Sequence, residues 1–374
     1  MTEGLQLSLP KRINLIRITL VLSLLISVLL SLNLWCGDRS FPVTPILQVN
    51  WLNSSYDFIW IVLVILFWIT SLFLRFQRVF IFLACLFCFF LILFDLNRLQ
   101  PWFFMYNSLL VLFIFYNGRV DEPNKNTSFF IIIQLIFASF YFFNGISCLN
   151  DQFVKESFEV IISPVQTLVS ERHFIFLKKT GFLVPYLLMF IGLGLMISSI
   201  RYLAFSFAFL LHLILLVLFF PSANHLNYSL WLSNLTFIFL LFFMFSGNIN
   251  PPIYSLILLF NRILFYPVLV FFIVLPFFNS TNKWPDFLSS NSKGGNNKHL
   301  ELKINKDIKK QLSSYERFFL IPTDSLFFVD YQNWCLHELN SDCIPSERVF
   351  NSILNYFNSI NENKKKGVVA KITK

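Results

Sequence analysis

The residues of this sequence best suited to chemistry are polar side chains inside long apolar segments. His212 follows Arg201 within one such segment, at a helical distance of about 16 Å, which places it close to the middle of a bilayer. A neutral imidazole at that depth satisfies itself with one partner, or it binds a ligand or passes a proton. Gln134, Asn144 and Asn234 lie in neighbouring segments as candidate partners. Structural hydrogen bonds between helices would explain the same residues, and the sequence leaves both readings open.

A second polar group lies at a predicted membrane edge, from Asp95 to Trp102 (DLNRLQPW). Pro101 ends the preceding helix, and the ring of Trp102 is typical of interfacial anchors. Asp95 and Arg98 have the i, i+3 spacing of an ion pair on a helix, which leaves Asn97 and Gln100 as donors. The segment predicts either a polar pocket for a quinone head or lipid headgroup, or an interfacial turn with a structural role.

The cysteines give weaker signals. Cys85 and Cys88 form a C-x-x-C within an apolar segment, where thiols stay protonated and inert, so packing is the expected role. Cys335 and Cys343 lie in a polar C-terminal region, and a disulfide between them would need an oxidising compartment. A histidine and a glutamate nearby complete no standard zinc pattern, so we expect no metal site. The sequence also lacks hydrolase motifs and phosphate-binding loops.

The elements that must position these residues are membrane-spanning helices. The chain has 374 residues, of which 56% are hydrophobic, 13% are charged and 50 are phenylalanine. Apolar runs of about 18 residues match the thickness of a bilayer, and only helices and closed barrels satisfy their backbone there. We therefore predict an all-α transmembrane helix bundle of eight or nine spans with a small C-terminal α/β or α+β soluble appendage. The spans are predicted at 15–35, 58–74, 79–95, 102–117, 129–147, 182–199, 202–220, 228–246 and 256–278.

The predicted organisation has four parts along the chain. They are a polytopic transmembrane domain at 1–278, a flexible linker at 279–297, a small soluble domain at 298–362 and a basic tail at 363–374. The alternation at 299–304 predicts a strand, and a helix is expected to open near Pro345 to Arg348. Segment 148–181 is too polar to span and predicts a helix that lies on the membrane surface.

Charge placement predicts the orientation. Cations at positions 11, 12, 75, 78, 119, 125 and 201 fall on one side of the predicted spans, and that side is expected to be cytoplasmic. Nine spans then put the C-terminal domain outside, whereas a re-entrant segment at 256–278 would put it in the cytoplasm. We predict a multi-pass protein of a bacterial inner membrane with a cytoplasmic N-terminus and a periplasmic C-terminal domain. The net charge of +9 comes without a basic, aromatic-interleaved stripe, which argues against nucleic acid as a partner.

Four segments together resemble a known group of proteins. They are 95–102 (DLNRLQPW), 141–150 (YFFNGISCLN), 212–231 (ending in NYSLW) and 334–340 (WCLHELN) with the following Pro345 and 348–350 (RVF). In this order they resemble the DoxX-like bacterial membrane proteins, a group similar to the membrane (HTTM) domain of vitamin K-dependent gamma-carboxylases. The resemblance implies a helix bundle that binds a quinone or lipid in a redox-associated role. The candidate binding residues are Asp95, Arg98, Gln100, Asn144, Cys148 and His212.

The resemblance also bears on catalysis. The carboxylases carry a Gly-x-x-Lys-Leu arrangement whose lysine acts as the catalytic base, because a buried lysine with a lowered pKa accepts a proton. Here the matching residues run from Gly145 to Leu149, and Cys148 stands at the position of the lysine. A cysteine is a different acid, so the resemblance implies a shared fold without that base.

Three functional hypotheses follow from these observations. The first is a membrane protein that binds a quinone or lipid between its helices. The second is a non-enzymatic accessory or assembly subunit that docks on an envelope partner through residues 298–362. The third is a degenerate carboxylase-like enzyme that lacks its lysine.

Overall fold

The computed structural model describes most of the chain and is mostly helical. The described residues are 7–36, 39–47, 57–73, 76–116, 123–220, 227–245, 263, 265–281, 283–289, 298–323, 326–360 and 368–373. The helices are α1 Leu9–Leu30, α2 Leu32–Trp35, α3 Asp57–Ser71, α4 Gln77–Phe94, α5 Pro101–Phe115, α6 Pro123–Ser147, α7 Phe158–Ile162, α8 Glu171–Lys179, α9 Leu183–Met196, α10 Arg201–Leu218, α11 Tyr228–Phe245, α12 Phe265–Leu269, α13 Asp286–Ser289, α14 Lys306–Gln311, α15 Ser314–Arg317, α16 Tyr331–Leu339 and α17 Glu347–Ile360. The strands are β1 His299–Ile304, β2 Leu320–Pro322, β3 Phe327–Val329 and β4 Val368–Thr373.

Six helices in the described part are long and apolar enough to cross a membrane. They are α1, α4, α6, the continuous pair α8 and α9 (Glu171–Met196), α10 and α11. Three shorter apolar helices accompany them, namely α3, α5 and Phe265–Asn279, which begins with α12. Each predicted span therefore coincides with an apolar helix, although residues 256–262 and 264 of the last one lie outside the described residues.

The bundle has a central helix and peripheral ones. In the most apolar 18-residue stretch of α6, 67% of the residues are buried, compared with 22% in the corresponding stretches of α4 and α10. Large apolar side chains such as Phe73 and Val217 are exposed on the outside of the bundle. Such exposure is costly in water and favourable in hydrocarbon, so these faces are compatible with lipid contact.

Two arginines of α1 mark one end of the bundle. Arg12 Nε donates to the carbonyl oxygen of Phe243 at 2.7 Å, near the end of α11. Arg17 donates to the carbonyl oxygen of Ser71, the last residue of α3. The final carbonyls of a helix have no partner within it, and these guanidinium groups supply one. The start of α1 therefore lies at the same end of the bundle as the ends of α3 and α11.

The C-terminal part folds around a four-stranded antiparallel sheet in the order β2-β3-β1-β4. The predicted strand at 299–304 is β1, and the predicted helix after Pro345 is α17. The helix α17 buries Val349, Phe350, Ile353 and Phe357 along one face. That spacing follows the helical period and covers the apolar core of the domain.

The chain end differs in form from the predicted basic tail. Val368–Thr373 forms β4, which pairs with β1 from His299 opposite Thr373 to Ile304 opposite Val368. The sequence reading was dominated by the lysines before this segment, while its apolar residues supply the edge strand of the sheet. In the predicted linker, residues 279–281 are the end of a helical segment, and Asp286–Ser289 forms α13. The described residues do not include 282, 290–297 or 361–367.

The C-terminal domain docks on the opposite end of the bundle from the α1 arginines. Asn340 Nδ2 donates to the carbonyl oxygen of Leu30 at 3.0 Å, at the end of α1. Ser229 Oγ, at the start of α11, donates to the carbonyl oxygen of Asn340 at 3.2 Å. Asn340 caps α16 in the left-handed conformation, with φ 50°, which asparagine tolerates better than most residues. The cap therefore also serves as the docking point.

Candidate functional site

A cavity of about 400 Å³ lies in the bundle, in the half that faces the C-terminal domain. Its walls come from α5, α6, α9, α10 and α11, and residues of 153–177 also line it. Most lining side chains are aliphatic or aromatic. The polar or weakly polar ones are Gln100, Trp102, Tyr141, Asn144, Cys148, His212, Asn227, Ser233, Asn234, Ser341 and Asp342. An apolar pocket with a few convergent polar groups is the usual form of a small-molecule site.

Tyr141, His212 and Asn234 form a hydrogen-bonded chain at the cavity wall. Tyr141 Oη lies 2.5 Å from His212 Nε2, and His212 Nδ1 lies 2.7 Å from Asn234 Oδ1. The three side chains come from α6, α10 and α11, and all are buried. Three helices that each contribute one polar group thus meet at a single point.

The neighbours of Asn234 assign the tautomer of His212. Asn234 Nδ2 donates to the carbonyl oxygen of Leu230 at 2.8 Å, which turns Oδ1 toward the imidazole. Because an amide oxygen only accepts, His212 Nδ1 carries the proton in the neutral ring. Nε2 is then an acceptor, and Tyr141 donates its hydroxyl proton to it. The phenol oxygen keeps its capacity to accept a hydrogen bond from a ligand.

An aromatic ring holds this chain in place. Phe237 lies one helical turn after Asn234 on α11, and its ring centroid is 4.8 Å from that of His212. The same phenylalanine meets the ring of Tyr141 edge-on, with 6.0 Å between centroids. Packed rings restrict the rotamers of the polar residues, so the site is preorganised.

The mouth of the cavity is built where the bundle meets the C-terminal domain. Gln100 Nε2 donates to the carbonyl oxygens of Asn97 and Asp342, both at 2.9 Å. Asn144 is in the last turn of α6 and Cys148 directly follows that helix, with its thiol 3.7 Å from Asn144 Oδ1. Trp102 also lines the cavity, and its buried indole N–H has no hydrogen-bond partner among the described residues.

Four of the six predicted site residues meet at this cavity. Gln100, Asn144, Cys148 and His212 all contribute to its lining, although they are distant in sequence. Asp95 and Arg98 are buried outside the lining. Gln134, a predicted partner of His212, instead donates to the carbonyl oxygen of Met244 at 2.8 Å. It therefore joins α6 to α11 and takes no part in the site.

Arg98 is the centre of a structural network. Its guanidinium donates to the carbonyl oxygens of Leu34, Trp35 and Leu91 at 3.2, 3.0 and 3.1 Å. It also donates to Asp57 Oδ2 at 2.5 Å. These acceptors belong to the ends of α2 and α4 and to the start of α3, so one side chain joins three elements.

Asp95 forms a second network beside the first. Its carboxylate accepts from Thr44 N at 3.0 Å and from Asn97 N at 3.1 Å, and it is paired with Arg39. The i, i+3 pair of Asp95 with Arg98 that the spacing predicted is therefore wrong. Asp95 caps the short turn Leu96–Arg98, which leaves Arg98 to reach a different carboxylate, that of Asp57.

The segment 148–181 does not span the bundle, in line with its polar composition. It lies at the end of the bundle on which the C-terminal domain is docked, where Gln152 meets His299. It consists of short helical pieces, namely Phe153–Ser157, α7, Ser163–Thr167 and α8. Phe153, Phe158, Ile162 and Phe174 are buried in a cluster with Cys148, while Leu168 is 81% exposed. Its lysines pair with nearby acids, such as Lys178 with Glu159 at 2.5 Å. An amphipathic segment of this kind suits a membrane interface.

The sequence had given no reason to single out Tyr141, because it lies among phenylalanines (YFF) and carries the same apolar bulk. Its hydroxyl is distinguished only by the position of His212, on a helix far along the chain. Arg39 and Asp57 were missed for the same reason, since their partners are distant in sequence. The sequence held one signal for these partners. A charged side chain that is buried needs a partner of opposite charge, so Asp95 and Arg98 each called for one.

Within the described residues, no group of three or more histidine, cysteine or acidic side chains is arranged to hold a metal ion. No family model matches the chain, and neither a curated protein nor a solved structure matches it.

Proposed function

We propose that this integral membrane protein binds a neutral, lipid-like molecule in the cavity, with a quinone as the leading candidate ligand. The observation that carries the proposal is an apolar cavity of about 400 Å³ whose wall holds the hydrogen-bonded chain of Tyr141, His212 and Asn234. Apolar walls suit a tail, and a fixed acceptor and imidazole suit a small polar head.

The charge of the lining separates the two ligand classes considered from the sequence. Asp342 is the one charged side chain among the described residues that line the cavity, and no lysine or arginine joins it. A phosphate head would lack the cation that its burial requires. A quinone or another uncharged head needs only hydrogen bonds and ring contacts, which Tyr141 and Phe237 offer.

The binding proposal is tested with purified protein in detergent. Three probes would be compared: a short-chain isoprenoid benzoquinone, a diacylglycerol and a phosphatidylglycerol. We expect the neutral probes to bind and the anionic lipid not to compete. Tyr141→Phe removes one hydrogen-bonding group at the site, so affinity for the neutral probe should fall roughly tenfold.

Tyr106→Phe is the matched control, because Tyr106 is buried on α5 but does not line the cavity. It makes the same chemical change on a hydroxyl that does not face the cavity and should leave affinity unaltered. Equal losses in the two variants, or binding of the anionic lipid alone, would refute the proposal.

We further propose nine crossings and opposite sides for the N-terminus and the C-terminal domain. The contact of Arg12 with Phe243 supports a common end for the start of α1 and the end of α11. The domain is docked at the other end, so the chain after α11 must cross once more. Ring contacts of Phe272 with Phe104 at 6.0 Å and of Phe277 with Phe143 at 5.0 Å support such a path for 265–281.

The cations support a cytoplasmic N-terminus, and the resemblance to bacterial membrane proteins supports an inner-membrane location. Lys11, Arg78, Lys125 and Arg201 are at the starts of α1, α4, α6 and α10, and the crossing pattern puts these starts at one end. Arg75 and Arg119 lie outside the described residues. An excess of cations favours the cytoplasmic side, which leaves the C-terminal domain periplasmic.

The resemblance to DoxX-like and HTTM proteins remains a proposal. It is supported by Cys148, which holds the position of the carboxylase lysine and lines the cavity. A degenerate carboxylase-like enzyme is consistent with that position, and no lysine lines the cavity among the described residues. Cys148→Lys would test it, since restored carboxylation or epoxidation would favour this descent and the absence of both would weigh against it.

An accessory or assembly role is the second candidate function. It is favoured by a patch of exposed apolar side chains on the C-terminal domain, formed by Tyr315, Phe318 and Ile321. Such patches are frequent at protein interfaces. A stoichiometric protein partner that is lost in Phe318→Asp, with no small molecule extracted from the wild type, would favour this role over ligand binding.

A further inference from the structure

Two thiols of the C-terminal domain lie together on either side of a short loop. Cys335 is on α16 and fully buried, and its Sγ is 3.6 Å from the carbonyl oxygen of Ser341. Cys343 follows that loop and is half-buried. The side chain of Cys343 is close enough to the thiol of Cys335 to raise its pKa. Both sulfurs also lie near Tyr331, where burial and their charge raise the pKa of the phenol to about 12.

We propose that Cys335 and Cys343 are a redox pair that forms a disulfide by exchange with a small-molecule or protein disulfide. The inference depends on the neighbouring positions of the two thiols and does not rest on the proposed ligand. The thiol of Cys335 contacts the backbone of Ser341, only two residues before Cys343, so little backbone movement is needed to join the two cysteines. Because one thiol is more exposed than the other, the exchange has a first-reacting cysteine and a second, resolving cysteine.

The half-buried Cys343 reacts first. Its thiolate attacks one sulfur of the external disulfide, a mixed disulfide forms, and the other half leaves as a thiolate. Cys335 then loses its proton to water and attacks the sulfur of Cys343, which releases the second half. Two protein thiols are oxidised by two electrons, and one external disulfide is reduced to two thiols.

Burial makes the second step slower at neutral pH. Desolvation raises the pKa of the Cys335 thiol, and the neighbouring Cys343 raises it further. Only the thiolate is nucleophilic, so the rate of closure should rise with pH. An exposed thiol, with a pKa of about 8.5, would close faster at neutral pH, and its rate would level off above its pKa.

The disulfide would constrain the loop that joins the domain to the bundle. Between the two cysteines lie Asn340, which bonds to Leu30, and Asp342, whose carbonyl oxygen accepts from Gln100. Ser341 and Asp342 also line the mouth of the cavity. Oxidation would thus close a covalent ring around the residues that fix the domain to the helix ends.

The sequence offers a direct assay for the bond. Trypsin releases both cysteines in one peptide, 318–348, and Glu338 is the glutamate between them. Purified protein would be treated with oxidised glutathione, quenched with N-ethylmaleimide, and digested with trypsin and then with a glutamate-specific protease. We expect the fragments that contain Cys335 and Cys343 to stay linked until a reductant is added, and to form faster at higher pH.

Cys343→Ser keeps the buried Cys335 in place and should abolish the linked fragments while the protein stays folded. Cys85 and Cys88 serve as the internal control, because they are close in sequence but lie within the apolar α4, and they should remain reduced. Separate fragments that each carry N-ethylmaleimide after treatment with oxidised glutathione would overturn the proposal. Linkage of Cys343 to a cysteine other than Cys335 would do the same.

Discussion

At the scale of single residues, the buried polar side chains of this protein divide by what they contact. Arg98 and Asp95 contact backbone carbonyls, amides and opposite charges, and their ion pairs join distant elements. Tyr141, His212 and Asn234 contact one another beside an apolar cavity. The first group is fully used in holding helix ends together, whereas the second presents a polar surface to a space that a ligand can enter.

Arg98→Met should therefore destabilise the fold without acting through a ligand. The change leaves the Asp57 carboxylate buried and without its cation, along with three carbonyl oxygens that lose a donor. Breaking a buried pair of this kind costs about 3–5 kcal/mol. Thermal unfolding in detergent should show a large fall in the midpoint.

The matched control for this change is Lys155→Met. Lys155 forms an ion pair with Asp151, but both side chains are exposed, and exposed pairs contribute little. Its unfolding midpoint should equal that of the wild type. The structural role of Arg98 would be contradicted if the two variants unfolded alike.

The same residues explain which contacts could be predicted from the sequence. His212 and Asn234 were expected to meet, because polar groups in apolar helices seek one another. The pair of Asp95 with Arg98 was wrong, because local spacing could not account for Arg39 and Asp57, whose positions depend on how distant loops fold back. Periodicity gives the face of a helix but not the element opposite it.

At the scale of elements, the approach of α6 to α9 determines the shape of the cavity wall. A Cβ added at Gly145 would lie 2.6 Å from the carbonyl oxygen of Pro185, and one at Gly192 would lie 2.7 Å from that of Ala138. These neighbours are backbone atoms and cannot turn aside. Small residues allow two membrane helices to approach closely, and here glycine is required on both.

Gly145→Ala and Gly192→Ala should each lower stability by about 1–3 kcal/mol, because overpacking separates the two helices. A gain in helix propensity of about 1 kcal/mol opposes this effect and reduces the net loss. Unfolding midpoints in detergent would measure the difference. Leu193→Ala is the control, since Leu193 is next to Gly192 but exposed on the outer face of α9, and it should change the midpoint less.

Element positions were the part of the fold most accessible from the sequence. The apolar runs predicted the helices because bilayer thickness sets a length that few soluble segments reach. The sequence predicts a basic tail at Val368–Thr373, because a single edge strand has a weak signal until its partner β1 is known. The short helical pieces of 148–181 were expected as a surface element but not with these breaks, which follow from local contacts such as that of Gly181 with Phe158.

At the scale of the whole molecule, the C-terminal domain forms one body with the helix ends on which it is docked. Glu338 accepts from Ser40 Oγ at 2.5 Å and from Trp334 Nε1 at 3.0 Å, and Asn33 Nδ2 donates to the carbonyl oxygen of Glu338 at 3.0 Å. On the surface segment, Gln152 meets His299 of β1 at 2.8 Å. These contacts join the domain to α2, to the loop after it and to the segment that closes the cavity.

This arrangement predicts which face of the membrane each end of the chain occupies. Lys11 and Glu301 are both exposed, one at the start of α1 and the other on β1. Lys11→Cys and Glu301→Cys would be made singly in a background with Cys36→Ser and Cys343→Ser. A membrane-impermeant maleimide should label the first only in inside-out vesicles and the second only in right-side-out vesicles, because the nine proposed crossings would put the two sites on opposite faces. Lys155 is exposed on the segment 148–181, so Lys155→Cys should be labelled from the same face as Glu301→Cys. If the Lys11 and Glu301 variants were both labelled from one face, the number of crossings between them would be even, which would rule out nine.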